Sequence, residues 1–165
     1  DIADDLTTVL LVRHDENRPI YRLEVPVNLS ALGLIRDFVT EHTKKAAVPD
    51  DTAGPFVVAA VEVMTNIIRH ATGRLSDAPV ELFIRHKAGG LVLETSYLGD
   101  PYAPPVDAPD TDLSTFPEGG FGLFIIRNAC DKVEYRSSDG VNTVRMTLLN
   151  HALAQGTGAS IRSSR

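Results

Sequence analysis

The apolar positions keep a two-residue period at both ends of the chain and a helical period between them. "TTVLLVR" (Thr7 to Arg13) is a short β-type run, "HDENRP" is turn material, and "IYRLEVPV" sets Ile20, Leu23, Val25 and Val27 among polar neighbours. These two runs are expected to pair as a hairpin. Asn28 or Ser30 is placed to cap a helix through about His42, with Leu32, Ile35, Phe38 and Val39 facing inward. "AVPDDTAGP" breaks that helix, and a second is predicted from about Phe56 to Thr72, ending near Gly73. "PVELFIRHK" and "GLVLETSYL" read as strands joined at Gly89-Gly90. A Pro- and Asp-rich stretch follows, then a third helix over about Leu123 to Cys130. "KVEYRS" and "NTVRMTLL" close the pattern as a strand pair, the second alternating Val144, Met146 and Leu148.

The order ββ-α-α-ββ-loop-α-ββ predicts an α/β fold of the α+β two-layer sandwich type. It has a mixed, mostly antiparallel sheet with helices on one face. Residues 1–19 form an N-terminal strand and turn, 20–150 the domain, and 151–165 a Gly/Ser-rich tail expected to be disordered. At 165 residues and 43% hydrophobic, the chain suffices for one core. The net charge of −6 argues against nucleic acid as the main partner. No apolar run approaches the ~18–20 residues of a membrane helix, and acids stand where a secretory signal would carry positive charge. The lone Cys130 excludes an internal disulfide and points to a reducing, cytoplasmic setting, with the thiol as buried filler.

In "EVMTNIIRHA", Glu62, Asn66 and His70 recur every fourth residue and share one helix face. Val57, Ala60, Val61, Met64, Ile67, Ile68 and Ala71 cluster opposite and are expected to face the sheet. On spacing alone the polar stripe is an ordinary solvated face. Its chemistry changes if a phosphate lies nearby: an Asn oxygen suits Mg²⁺, and a Glu one turn earlier suits proton abstraction. "EGGFGLFII" supplies a candidate cradle. Gly119, Gly120 and Gly122 precede a helix near Leu123, where glycines permit close backbone approach and free N–H groups bind phosphate. Between the two motifs, "SYLGDPYAPP" offers Gly99 to a flat base and Tyr97 or Tyr102 to stack on it, or else a plain strand-ending turn.

These segments resemble the N, G1 and G2 boxes of the GHKL (Bergerat-fold) ATPases, in order, over roughly Tyr21 to Leu149. "GGFGLFIIRNACDKVEY" followed by "NTVRMTLL" is most similar to the anti-sigma factor serine kinases of partner-switching systems. The resemblance implies Glu62 as general base for a partner's serine and Asn66 as the ligand holding Mg²⁺ against ATP. It gives His70 a supporting or phosphate-side role and places Gly99 at the adenine pocket. Gly120, Gly122 and the N–H groups at Leu123 would cradle phosphate, with Gly119 beside them, under a lid from about Pro101 to Glu118. Thr143 would set its hydroxyl beside adenine. The implied partners are a sigma factor and a STAS-domain anti-sigma-factor antagonist, with no membrane and no nucleic acid. "TTVLLVR" would serve either as a homodimer edge or as a strand buried within the monomer.

One position departs from the pattern. The family's Asp-x-Gly has Tyr97 in place of the Asp, whose carboxylate accepts a hydrogen bond from the adenine amine. Losing such a bond removes roughly 1.5–3 kcal/mol of binding. Two functions follow: an ATP- and Mg²⁺-dependent serine/threonine kinase acting as an anti-sigma factor, or a partner-switch binding module of the same fold with nucleotide binding weakened. A sensor-kinase catalytic domain is a third, less favoured reading.

Overall fold

The computed structural model describes residues 13–15, 18–70, 78–87, 89–102, 104 and 121–149. The first hairpin pairs β1 (Arg13–Asp15) with β2 (Arg18–Val25), so the second expected run forms a strand. Thr7 to Val12 of the first lie outside the described residues. Helix α1 (Ala31–Lys45) begins at a turn in which Asn28 Oδ1 accepts hydrogen bonds from the Ser30 backbone N–H at 2.9 Å and from the Ser30 hydroxyl. Asn28 rather than Ser30 therefore organises the start, since Ser30 makes no side-chain cap. The helix ends where Ala47 turns left-handed (φ 52°), Val48 N–H returns to Thr43 O, and Pro49 follows.

Helix α2 (Asp50–His70) starts six residues before the expected Phe56 and carries Pro55 inside it. The backbone N–H groups of Thr52 and Ala53 bond to Pro49 O, and Asp50 and Asp51 put negative charge at the helix's positive end. Pro55 removes one intrahelical bond near that end, while the added turn buries Ala53 and Phe56. By length and composition α2 could cross a membrane, but seven of its residues are buried, and they belong to the common core of this fold.

Strands β3 (Val80–Lys87) and β4 (Gly90–Leu98) form the expected hairpin at Gly89-Gly90. Gly90 is required there, because a Cβ would drive into the carbonyl of Leu148. Helix α3 spans Phe121–Asn128, two residues earlier than expected. β5 (Lys132–Ser138) and β6 (Val141–Leu149) close through Asp139 (φ 53°) and Gly140 (φ 77°), both left-handed as a two-residue hairpin turn demands.

The sheet order is β1-β2-β3-β4-β6-β5. Every pairing among the described residues is antiparallel, so no parallel component appears there in what was expected to be a mixed sheet. Its two faces differ. Leu23, Val25, Leu82, Ile84, Leu93 and Met146 point to the helices and are buried with Ile35, Phe56 and Ile126. The other face carries cross-strand charge: Arg22 contacts Glu24 and Glu81, and Arg145, opposite Glu94 in register, bonds to it at 3.0 Å.

Candidate functional site

The period-four stripe on α2 lies closer to the core than its spacing suggested. The buried residues are Ala53, Phe56, Ala59, Ala60, Val63, Met64 and Ile67. On a wheel of about 100° per residue, that face is turned roughly 60° toward Glu62 and Asn66 from the expected one. Val57, Val61 and Ile68 are only partly buried. The turn arises because α2 packs on α1 and α3, and its buried residues share one core cluster with those of the sheet. Glu62 and Asn66 are half-buried at the margin of this face, and His70 is exposed at the helix end.

Asn66, His70, Tyr97, Tyr102, Leu123 and Tyr135 line a cleft between α2, α3 and the sheet, with a cavity of about 30 Å³. Beside it lies a larger space of about 230 Å³ that shares His70, Tyr97 and Tyr102 and adds Gly99 and Asp100. The distant motifs "NIIRH", "YLGD" and "GLF" thus meet at one place. At its margin, Gly122 in the first turn of α3 lies against Glu62: a side chain on this glycine would run into Glu62 Oε1. Gly119 and Gly120 lie outside the described residues, as do most of the expected lid, Ala71 to Gly73 and the tail.

Thr143 does not reach the cleft. β6 buries Asn142, Val144, Met146 and Leu148, so Thr143 projects from the opposite, charged face, where its hydroxyl sits 3.3 Å from that of Ser96. The inward position belongs to Asn142, only 2% exposed. Its Oδ1 accepts from Tyr102 N–H at 3.1 Å, and its Nδ2 donates to Asp100 O at 2.9 Å. This one side chain ties the segment after Gly99 to the sheet. The two-residue period that marked Val144, Met146 and Leu148 as inward already carried the signal for residue 142.

Tyr135 was also missed. It faces inward from β5 opposite Val144, its ring meets that of Tyr102 edge-on at 6.2 Å, and it lines the cleft. Its hydroxyl oxygen is buried without a hydrogen-bond partner among the described residues, an arrangement that costs about 1–3 kcal/mol. Burial pushes its phenol up to about 12, and burial also raises Tyr97. Cys130, half-buried beside Asp131, has its thiol pushed up to about 12, chiefly by burial, which fits an inert packing role.

The residues fit a purine nucleotide. The cleft has aromatic and aliphatic walls for a flat base, and the space of about 230 Å³ adjoins it. Asn66 lies one turn along α2 from Glu62, and Gly122 leaves room for a carboxylate at the start of α3. No cluster of three or more His, Cys, Asp or Glu that would hold a metal by protein ligands alone is present among the described residues. Mg²⁺ would therefore be held mainly by phosphate and water, with Asn66 as its protein ligand.

Comparison with known proteins agrees with this geometry. The structure is similar to that of the RsbU and RsbW domains of Rv1364c from Mycobacterium tuberculosis (TM-score 0.58, 12% identity), covering 79% of this chain and 32% of that one. This chain thus spans about a third of that protein's structure. It is similar to a chain of the SiaB-SiaC complex from Pseudomonas aeruginosa (TM-score 0.53, 13% identity), covering 77% of this chain and 88% of that one. It is also similar to the histidine kinase domain of the blue-light activated histidine kinase from Erythrobacter litoralis EL346, with TM-score 0.50 and 20% identity. That match covers 79% of this chain and 64% of the other. At these identities the likenesses establish the fold. No curated protein matches the chain. Residues 25–148, from the end of β2 through all three helices to β6, match the histidine kinase-like ATPase domain. With the order of motifs, the antiparallel sheet and the cleft between α2 and α3 all in agreement, the chain belongs to the histidine kinase-like ATPase domain family.

Proposed function

We propose that this chain is an anti-sigma factor with serine/threonine kinase activity. It sequesters a sigma factor and phosphorylates a serine on a STAS-domain antagonist, using ATP and Mg²⁺, in the cytoplasm. The observation that carries this reading is the meeting of Glu62 with Gly122 at the start of α3, with Asn66 one turn further along α2 on the same cleft. A base beside a helix N-terminus stands where a hydroxyl must lose its proton as it approaches a phosphate. When bound, the nucleotide supplies the phosphoryl group and Mg²⁺ neutralises charge on it.

The chain's own residues do the rest, which for this chemistry is chiefly positioning. The Glu62 carboxylate would accept the proton of the partner's serine as the serine oxygen takes the phosphoryl group from ATP and ADP leaves. Asn66 Oδ1 would hold the metal, and the N–H groups near Leu123 at the start of α3 would face phosphate oxygens. His70, exposed at the helix end, has a supporting or phosphate-side role. Gly99 and Asn142 fix the strand end that borders the base.

A second reading is favoured by one observation: Tyr97 occupies the position of an acid and lines a cleft whose cavity is only about 30 Å³. On that reading the protein regulates partners by competition, with nucleotide binding weakened. Calorimetric titration with ATP and Mg²⁺ separates the two. The kinase reading expects micromolar-range binding by the native chain; no binding by it, with a gain in Tyr97→Asp, sinks that reading. Glu62→Gln is expected to retain binding and to lower phosphorylation of a STAS partner by at least about 100-fold. Unchanged phosphorylation would remove Glu62 from its role.

A further inference from the structure

We infer that Tyr102 is a gate across the cleft, closed in this structure, which must swing out before a nucleotide can reach from Gly99 to Asn66. This rests on the nucleotide-site reading above and adds to it a step that controls access. The inner cavity measures about 30 Å³. That is room for about two waters and far less than a purine ring needs. The space of about 230 Å³ outside it has that room. Yet Asn66 and Leu123 line only the inner cavity, and Gly99 and Asp100 only the outer space. Ile67, His70, Tyr97 and Tyr102 line both, so they form the partition that a nucleotide touching both ends must cross.

Three of those four are held in regular elements. Ile67 and His70 belong to α2, and Tyr97 sits in the ladder opposite Asn142 of β6. Tyr102 lies beyond the end of β4 at Leu98, outside any helix or strand. Its ring closes edge-on against Tyr135 at 6.2 Å, and its N–H donates to Asn142 Oδ1 at 3.1 Å. The other arm of that amide, Nδ2, donates to Asp100 O at 2.9 Å. Asn142 is buried in the sheet, so it is a fixed post to which the segment carrying Tyr102 is latched. Breaking one such bond changes an equilibrium constant by about tenfold or less, so the latch can open. The measured affinity is then the intrinsic one reduced by the fraction of chains that stand open.

Calorimetric titration with ATP and Mg²⁺ tests the gate, because removing a gate and removing a stacking ring move affinity in opposite senses. Tyr102→Ala is expected to bind ATP about tenfold more tightly than the native chain. Tyr102→Phe keeps the ring and is expected to stay within about threefold of native. Equal or weaker binding by a cooperatively melting Tyr102→Ala makes the ring part of the base seat and overturns the inference. The chain has no tryptophan, so Tyr102→Trp installs a single reporter should the alanine variant fold poorly. Saturating ATP and Mg²⁺ is expected to shift its emission to longer wavelength as the indole leaves the cleft. An unmoved or blue-shifted emission overturns the inference. Native binding without a gain in Tyr102→Ala leaves the kinase reading standing. Failure of the native chain and of every variant to bind defeats the inference and the kinase reading together.

Discussion

Two polar-aromatic clusters lie between the helix layer and the sheet, and they are finished differently. Under the end of α1, His42 is 2% exposed, its Nδ1 meets His86 Nε2 at 3.1 Å, and its ring packs on Tyr21 at 4.3 Å and edge-on to Phe38 at 4.8 Å. Lys45 Nζ lies 5.6 Å above the Tyr21 ring. The rings pack on one another there and the imidazoles pair. Under α2 and α3, Tyr97, Tyr102 and Tyr135 surround a void, and one buried hydroxyl has no partner among the described residues. Similar residue types thus serve opposite ends. A closed cluster with its polar atoms paired adds stability, whereas an open one holds back a hydrogen bond and a surface for something that is not protein.

The largest effect is expected from emptying the closed cluster. His42→Ala removes the ring between Tyr21 and Phe38 and should lower stability by about 3 kcal/mol in urea unfolding, as ring deletions from cores do. A loss below about 1 kcal/mol would mean that the cluster is not the structural one.

Acid should come next. Burial, then His86 and Lys45, hold His42 near 4, well below its ordinary 6.5, while Glu41 opposes them weakly; His86 is lowered too, again chiefly by burial. Between those values the unfolded chain binds a proton that the folded chain refuses. This contribution is therefore fully present above pH 6.5 and is lost as pH falls toward 4, by roughly 2–3 kcal/mol. His42→Phe should flatten that part of the stability profile, measured by thermal melts from pH 7.5 to pH 4.5. An equally steep profile in the variant would assign the effect to other groups.

The smallest expected change lies in the open cluster. Tyr135→Phe deletes a buried hydroxyl that has no partner among the described residues, so stability should stay level or rise by up to about 1 kcal/mol. A marked loss of stability would show that the hydroxyl has a structural partner, and the contrast between the clusters would fail. Gly122→Ala sharpens the same contrast at the margin of the cleft. Glu62 must swing away from the added methyl. Melting should shift little, and phosphorylation of a STAS partner should fall at least about tenfold.

Much of this was legible in the sequence. The alternation in β2 and β6 set which side chains are inward, and the helical period around Glu62, Asn66 and His70 put them on one face, because both periods follow from local backbone geometry. Breaker rules failed at Pro55. A proline near a helix start forfeits one bond, and the burial of Ala53 and Phe56 by tertiary packing outweighs it. Thr143 was assigned by motif rather than by parity, and parity was right.

What the sequence alone determined was the order of elements, the antiparallel strand pairs of each hairpin, and the three motifs in their spacing. Only the tertiary structure decided that α2 turns its polar stripe toward the core and that Asn142 ties down the segment after Gly99. It also decided that the Tyr135 hydroxyl stays unpaired among the described residues around the cleft. These are long-range facts: residues 97, 102, 135 and 142 meet because β4 pairs with β6 and β6 with β5. Whether a buried polar atom is satisfied depends on which groups the fold brings within about 3 Å of it, and that distance is written in no single segment.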